Sequence, residues 1–531
     1  MKKTFAMLMI IAFFFTSGCV EKKMVETTKD FKTDEYIVYN LGKIPGDLIL
    51  LNDSSIRERD LLLSLFEGLV KVDSRGNIVP GLAESWTIGK DDITYTFNIR
   101  KDARWSNGMP ITAKDFQRFF SDILNSKQKN IYDYQLYYIF GAQEYRNNKK
   151  NFDGVAIRAI DDKTLEIRLN SPVSYFLKIL SQPIYTLRKI EDNLKDWKEK
   201  YKNILYSGPF MIDDISEDGE LALLKSEYYY DSTEVMSERI YITSASGSEN
   251  ALAKFNTDKI NMFINPPISE TKSLILDGNA EVIPVNIGSS INFNFKRDGI
   301  AKNLAFRKAI NLSINRENLL SQDFDYMARG ANAYIPYSSE AVPQNVKGRS
   351  IFNKKGDSEL SKKMFEESQY NKKEKIRLVY LDNNENKRLS EAIVKDIKED
   401  LDINIESKGC SDIELVDVLE DGNYHMFIMN YAALYDDPVS ILEGWTSASD
   451  LNLFGYKNIE FDKLLLKAKY ENDALKREEL LKESEKLLIN DASAVPIYFH
   501  NVILCKKPSI EGVYVTKEGN VKFDRAYIKK V

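Results

Sequence analysis

Histidine and cysteine are scarce in this chain. Its 531 residues carry two histidines, His425 and His500, and three cysteines, Cys19, Cys410 and Cys505. No HExxH, CxxC, GxSxG or P-loop pattern occurs, which removes the local arrangements that build hydrolytic zinc sites, dithiol redox centres, nucleophile elbows and phosphate cradles. A zinc or iron site would have to be assembled by the fold from scattered residues, so neither a metal nor a cofactor is expected. The pairs Asp91-Asp92, Asp161-Asp162 and Asp213-Asp214 read as turns and not as catalytic carboxylates. Positioned acid–base and nucleophilic groups are missing, and the chain is read as a non-enzyme. Basic blocks interleaved with aromatics are also lacking, and the net charge of −6 is mild for this length, so no nucleic-acid partner is expected.

A long apolar run does occur at the N-terminus. Lys2 and Lys3 precede Phe5 to Phe15, and Thr16-Ser17-Gly18-Cys19 follows. A basic start, a short apolar segment and small residues predict a signal peptide over 1–18, too short to remain as a membrane span. Small residues ending on a cysteine resemble the lipobox of bacterial lipoproteins, although Thr16 stands where leucine is usual. The resemblance implies lipid attachment at Cys19 and a polar tether over 19–35. The protein is then extracytoplasmic and anchored to a bacterial membrane, at the periplasmic face or the cell surface. Simple secretion with cleavage elsewhere is the alternative. Cys410 and Cys505 remain as two thiols that an oxidising compartment allows to pair if the fold brings them together.

The bulk of the chain is globular. It is 43% hydrophobic and 29% charged, and its length suggests two to four folding units. Tyrosine (29) and phenylalanine (27) are plentiful, as expected where rings both fill cores and line shape-tolerant sites. Alternation in "ITYTFNIR" puts Ile93, Tyr95, Phe97 and Ile99 on one face of a strand, and "DDKTLEIRLN" does the same with Leu165, Ile167 and Leu169. These two fit an antiparallel sheet. Helical spacing appears later, with Phe461, Leu464, Leu465 and Ala468 in one stripe and Leu480, Leu481, Leu487 and Leu488 in the next. Pro266-Pro267 and "YIPYSSEAVPQ" mark loops.

Several blocks combine into a family resemblance. The stretch "FEGLVKVDSRGNIVPGLAESWTIGKDDITYTFNIRKDARWSNGMPITAKDF" (Phe66 to Phe116) resembles the signature of the oligopeptide/dipeptide-binding proteins, the extracytoplasmic solute-binding protein family 5 of ABC importers. "YSGPF", "NLAFRKAINLSINRENLL", "NLFGYKNIEFDKLL" and "AVPIYFHN" extend the resemblance from about Tyr36 to the C-terminus. It implies an α/β, two-lobed periplasmic-binding-protein-like fold of type II with an extra α/β subdomain. Lobe I comprises 36–75, 201–285 and 502–531, with the extra subdomain at 76–200, and lobe II spans 286–501. A monomeric, membrane-anchored receptor follows, capturing oligopeptides between two hinged lobes and delivering them to the permease subunits of an ABC transporter. The alternatives are a non-peptide solute (a metal complex, haem or a sugar) on the same fold, or a surface lipoprotein for adhesion or sensing.

The segment "YAALYDDP" carries the site expectation. The family typically has Trp-x-Ala-Asp-Tyr-x-Asp-Pro here, which aligns Tyr431 with the tryptophan, Ala433 with the alanine and Tyr435 with the tyrosine. Leu434 then falls where peptide binders carry the aspartate that meets the ligand's α-ammonium. Either Asp436 takes over, or the peptide end protrudes into water, or the ligand has no free amine; Leu434 could also simply pack in a core. Asp437 before Pro438 reads as a helix cap. The resemblance implies ligand contacts at Tyr431, Ala432, Ala433, Leu434, Tyr435 and Asp436, and it places Trp445, Tyr498 and His500 at the site border. Trp445 is equally a core ring, and His500 an ordinary partly buried histidine.

Overall fold

The computed structural model describes residues 31–530 other than 53–54, 325, 332, 337–354 and 372–373. Cys19, the signal peptide and most of the tether lie outside the described residues. Two compact units emerge: Val282–Val502, and the described parts of Cys19–Glu281 with Ile503–Val531.

In the second of these, the strands run in the order Met262–Ile264, Ile37–Asn40, Arg239–Thr243, Leu221–Lys225 and Phe210–Ile215. Ile37–Asn40 is parallel to both neighbours, and the remaining pairs are antiparallel. A separate four-stranded antiparallel sheet joins Ala83–Ile88, Thr94–Ile99, Thr164–Arg168 and Ile157–Ala159. Tyr95 opposes Ile167 and Phe97 opposes Leu165, all four buried, while Thr94, Thr96 and Asn98 stay half-exposed. The alternation read from the sequence therefore sets the core face. Helix Ala113–Leu124 covers that face with Phe116, Phe119, Phe120 and Ile123, each such side chain stabilising by about 1.5–3 kcal/mol on burial.

One turn expectation fails. Asp213 and Asp214 lie inside the strand Phe210–Ile215, at a register irregularity between Ile212 and Asp214. The bulge lets both acidic side chains avoid the core, and Asp213 pairs with Arg239 at 2.6 Å. Asp91 and Asp161 do make turns, accepting the backbone N–H of Ile93 and Lys163.

Val282–Val502 is built on a mixed sheet in the order Ile405–Cys410, Ile376–Leu381, Met426–Ala432, Ala280–Phe293 and Ala494–Lys506, with Ala328–Gly330 also paired to the last. The first three strands are parallel, which requires crossovers. Helix Asn384–Leu401 supplies one, capped by the Asn383 side chain and ended by Asp402 at φ +52°. Helix Asp412–Asp421 supplies the other, opened by a Ser411–Glu414 capping box. Two further helices, Ile459–Tyr470 and Ala474–Asn490, pack together. They bury Phe461, Leu465 and Ala468 from one and Leu481 and Leu488 from the other, with Leu464, Leu480 and Leu487 half-buried at the margins. Cys410 and Cys505 are free, buried thiols, each within a different unit.

Candidate ligand-binding site

The strand Met426–Ala432 is buried through Tyr431, as expected of a central strand in a mixed sheet. Its antiparallel register against Ala280–Phe293 sets Tyr431 opposite Gly288 and Asn430 opposite Ser289. The glycine is required by shape, because a Cβ at position 288 would lie 2.5 Å from Tyr431 Cζ and Oη. Tyr431 fills that space and donates its hydroxyl to the Tyr334 carbonyl. The two rings stack with centroids 4.5 Å apart.

Tyr334 is the hub of this corner. Trp445 Nε1–H donates to its hydroxyl at 2.9 Å, with the rings edge-on at 5.8 Å. The N–H groups of Tyr334 and Ile335 both donate to Glu485 Oε1 at 2.8 Å. A buried carboxylate thus holds a loop by its backbone, and the charge-assisted bonds offset its desolvation. Tyr431 and Trp445 are brought together through Tyr334, both enclosed: Tyr431 is 3% exposed and Trp445 3%. Burial pushes the phenols of Tyr334 and Tyr431 above the ordinary range, so both stay protonated and able to donate.

Beyond the strand the chain alternates. Ala433, Tyr435 and Asp437 are buried, and Ala432, Leu434 and Asp436 are half-buried. The strand ends at Ala432, so the alternation beyond it is one of burial along a bent segment. Hydrogen bonds fasten the segment. Ala433 N–H donates to the Asn286 carbonyl at 2.9 Å, Asn286 Nδ2 donates to Asp436 Oδ1 at 2.9 Å, and Leu434 N–H donates to Ser440 Oγ at 2.7 Å. Leu434 is therefore not a core residue. Asp437 accepts Val439 N–H at 3.1 Å just ahead of the short helix Val439–Leu442, whose N-cap position is Pro438, one residue later than expected.

Tyr498 and His500 form a second group on the strand Ala494–Lys506. The Tyr498 hydroxyl donates to Glu385 Oε1 at 2.7 Å, and His500 Nδ1 lies 3.5 Å from the same oxygen. On the other side of the ring, His500 Nε2 is 2.9 Å from Ser289 Oγ, which in turn bonds Asn430 Oδ1. A serine, a histidine and a carboxylate thus stand in line. Ser289 is fully buried in the sheet and its hydroxyl is engaged by Asn430, so no substrate carbonyl reaches it. Burial holds the His500 imidazolium below the usual histidine range; Glu385 works against that effect, and Arg329 adds to it. The arrangement is a satisfied polar network behind the site, with His500 6% and Tyr498 0% exposed.

Sequence reading missed Tyr334, Glu485, Asn286 and Glu385. For Glu485 a signal exists, since it shares helical spacing with Leu481 and Leu488 on the buried stripe. Among the described residues no three His, Cys, Asp or Glu side chains converge as a metal site.

Residues 77–452 match the model for bacterial extracellular solute-binding proteins, family 5 Middle. The chain belongs to this family. The oligopeptide-binding protein OppA of Bacillus subtilis is 28% identical over 523 residues, 95% of this chain and 94% of that relative. The murein tripeptide binding protein MppA of Escherichia coli superposes with a TM-score of 0.80 at 22% identity, covering 94% of this chain and 99% of MppA. A periplasmic oligopeptide-binding protein of Borrelia burgdorferi, OppAIV, gives a TM-score of 0.79 at 25% identity over 93% of this chain and all (100%) of its own. These likenesses show the type II periplasmic-binding-protein fold with its extra subdomain. Family 5 members are extracytoplasmic binding proteins, and this chain is not an enzyme. No helix among the described residues is long and apolar enough to cross a membrane.

Proposed function

We propose that this protein captures oligopeptides outside the cell membrane and delivers them to an ABC permease. The observation that carries this reading is the near-full-length likeness to a protein named for oligopeptide binding, OppA of Bacillus subtilis, over 95% of this chain. The local structure supports it. Ala432, Leu434 and Asp436 are the half-buried residues of a segment whose backbone is fixed through the N–H groups of Ala433 and Leu434. None of the three is aromatic or β-branched, which leaves room for an extended main chain to approach. In this reading Tyr431, Ala433, Tyr435, Trp445, Tyr498 and His500 support the ligand-facing residues by packing, and Asp436 is the carboxylate nearest to the position Leu434 vacates. Cys19 carries the lipid anchor, and the receptor works as a monomer with its membrane-embedded permease.

Leu434 favours one variation, in which the bound solute carries no free α-ammonium beside this residue. Titration of the soluble chain with a randomised peptide pool, read by mass spectrometry of what is retained, tests both. Retention of free-amine and N-acetylated peptides alike fits Leu434. Retention of no peptide contradicts the oligopeptide reading.

A further inference from the structure

The four-stranded sheet of the extra subdomain carries a basic face with exposed apolar groups. Ile157, Leu165 and Ile167 are buried, and the alternating residues Arg158, Glu166 and Arg168 lie on the other face. Arg158 stands opposite Glu166, and the Arg168 N–H donates to the Ala156 carbonyl at 2.9 Å, so the two arginines are diagonal neighbours on the edge pair of strands. Phe140 runs beside them. Its N–H donates to the Arg168 carbonyl at 3.0 Å, and its carbonyl accepts from Ala156 N–H at 2.9 Å.

Phe140 is 44% exposed, and Ile160, two residues beyond Arg158, is 58% exposed. Lys150 Nζ lies 5.3 Å and the Arg168 guanidinium carbon 5.9 Å from the centroid of the Phe140 ring. Lys149 adjoins Lys150 and is exposed like it. Several other basic residues of this subdomain are paired: Lys114 with Asp162, Arg118 with Asp122 and Arg146 with Asp133. Lys149, Lys150, Arg158 and Arg168 form no ion pair among the described residues, and the acids nearest in register and sequence, Glu166 and Asp153, pair with none of them.

Like charges gathered without counter-ions are relieved by an anionic partner. An exposed ring and an exposed branched chain are relieved by an apolar one. A soluble polyanion meets only the first need. An anionic lipid surface meets both, with phosphates at headgroup level and acyl chains beneath. The chain as a whole carries a net charge of −6, so attraction to such a surface has to come from a local patch.

We propose that this face of the extra subdomain docks on an anionic phospholipid surface. Phe140 and Ile160 enter the headgroup layer, and Lys149, Lys150, Arg158 and Arg168 meet the phosphates. The inference stands apart from the oligopeptide reading, since it concerns where the receptor rests and not what it carries.

Sedimentation of the soluble chain, which bears no acyl group, with vesicles of phosphatidylcholine alone or of phosphatidylcholine and phosphatidylglycerol in equal parts tests it. Wild type is compared with the double substitutions Arg158→Glu with Arg168→Glu, and Phe140→Ser with Ile160→Ser. Lys149→Glu with Lys150→Glu reverses charge outside the strands, should the arginine variant fail to fold. Lys463→Glu with Lys467→Glu, on exposed positions of the helix Ile459–Tyr470, is the control for charge elsewhere. Wild type is expected to bind the phosphatidylglycerol vesicles at least about tenfold better than phosphatidylcholine alone, and less well as salt is added. Either reversal in the patch should weaken this by about twentyfold or more, at about fivefold for each cation lost. The apolar double substitution should weaken it severalfold, and the control should bind as wild type does. No binding of phosphatidylglycerol vesicles by wild type, undiminished binding by the patch reversals, or an equal loss in the control overturns the proposal. If the Phe140→Ser, Ile160→Ser variant binds as wild type does, the contact is with charge alone, and membrane docking falls in favour of a soluble polyanion.

Discussion

Arg477 lays both terminal nitrogens on the Asp437 carboxylate, Nη1 to Oδ2 at 3.0 Å and Nη2 to Oδ1 at 2.7 Å. The pair joins the turn that follows the accessible segment to the start of helix Ala474–Asn490, and the two side chains are 2% and 13% exposed. The carboxylate also accepts the Val439 N–H, so one buried group does two jobs. Removing either partner leaves the other charge enclosed, and Arg477→Ala is expected to destabilise by about 3–5 kcal/mol. Urea denaturation at neutral pH measures it. A loss near that of an exposed pair, below about 1 kcal/mol, would show that the enclosed geometry carries no such weight.

The contact between Gly288 and Tyr431 makes a second prediction. Gly288→Ala forces a Cβ into the phenol and is expected to cost about 1–3 kcal/mol by overpacking. Tyr431→Leu removes the clashing atoms, so the double substitution should be less damaging than the sum of the two singles. Additive losses in a double-mutant cycle would mean the glycine is needed for some other reason.

His500 links stability to pH. Its pKa is held below the ordinary value, so on acidification the unfolded chain takes up the proton first. Stability therefore rises with pH between the folded pKa and about 6.5, and acid removes it below that point. Asp60 acts in the opposite sense. Its carboxyl is buried and pushed up to about 6, so its contribution is full below the unfolded value and fades as pH rises toward 6. His425 is depressed like His500. The difference in Tm between wild type and His500→Gln isolates the one group. That difference should shrink as pH falls from 7 to 5, and a constant difference contradicts the assignment.

Leu434 can be given back the missing charge. Leu434→Asp is expected to raise affinity for free-amine peptides by about tenfold over their N-acetylated forms. Isothermal titration with matched pairs decides it, and equal gains for both forms would place the ligand's amine elsewhere.

Local pattern carried far along the chain. The strands at Thr94–Ile99 and Thr164–Arg168 and the helix Ile459–Tyr470 follow from alternation and helical spacing. What local pattern misses is contact between distant segments. Tyr334 meets Glu485 across 151 positions and Tyr431 across 97; the spacing around Glu485 signals its burial but not its partner. Asp213-Asp214 looked like a turn because two adjacent carboxylates oppose burial; a strand accommodates them only through a bulge, and a bulge is set by its partner strand. Leu434 was recognisable as a departure from a family pattern, whereas its half-exposed position beside Asp436 came from the fold.

The most direct measurement is native mass spectrometry of the soluble chain, made without residues 1–19 and never denatured. A ladder of bound masses that fragment as mixed peptides is the expected result. A single discrete mass of another chemistry, or an empty protein that also ignores a peptide pool, contradicts the assignment of this chain as an oligopeptide receptor.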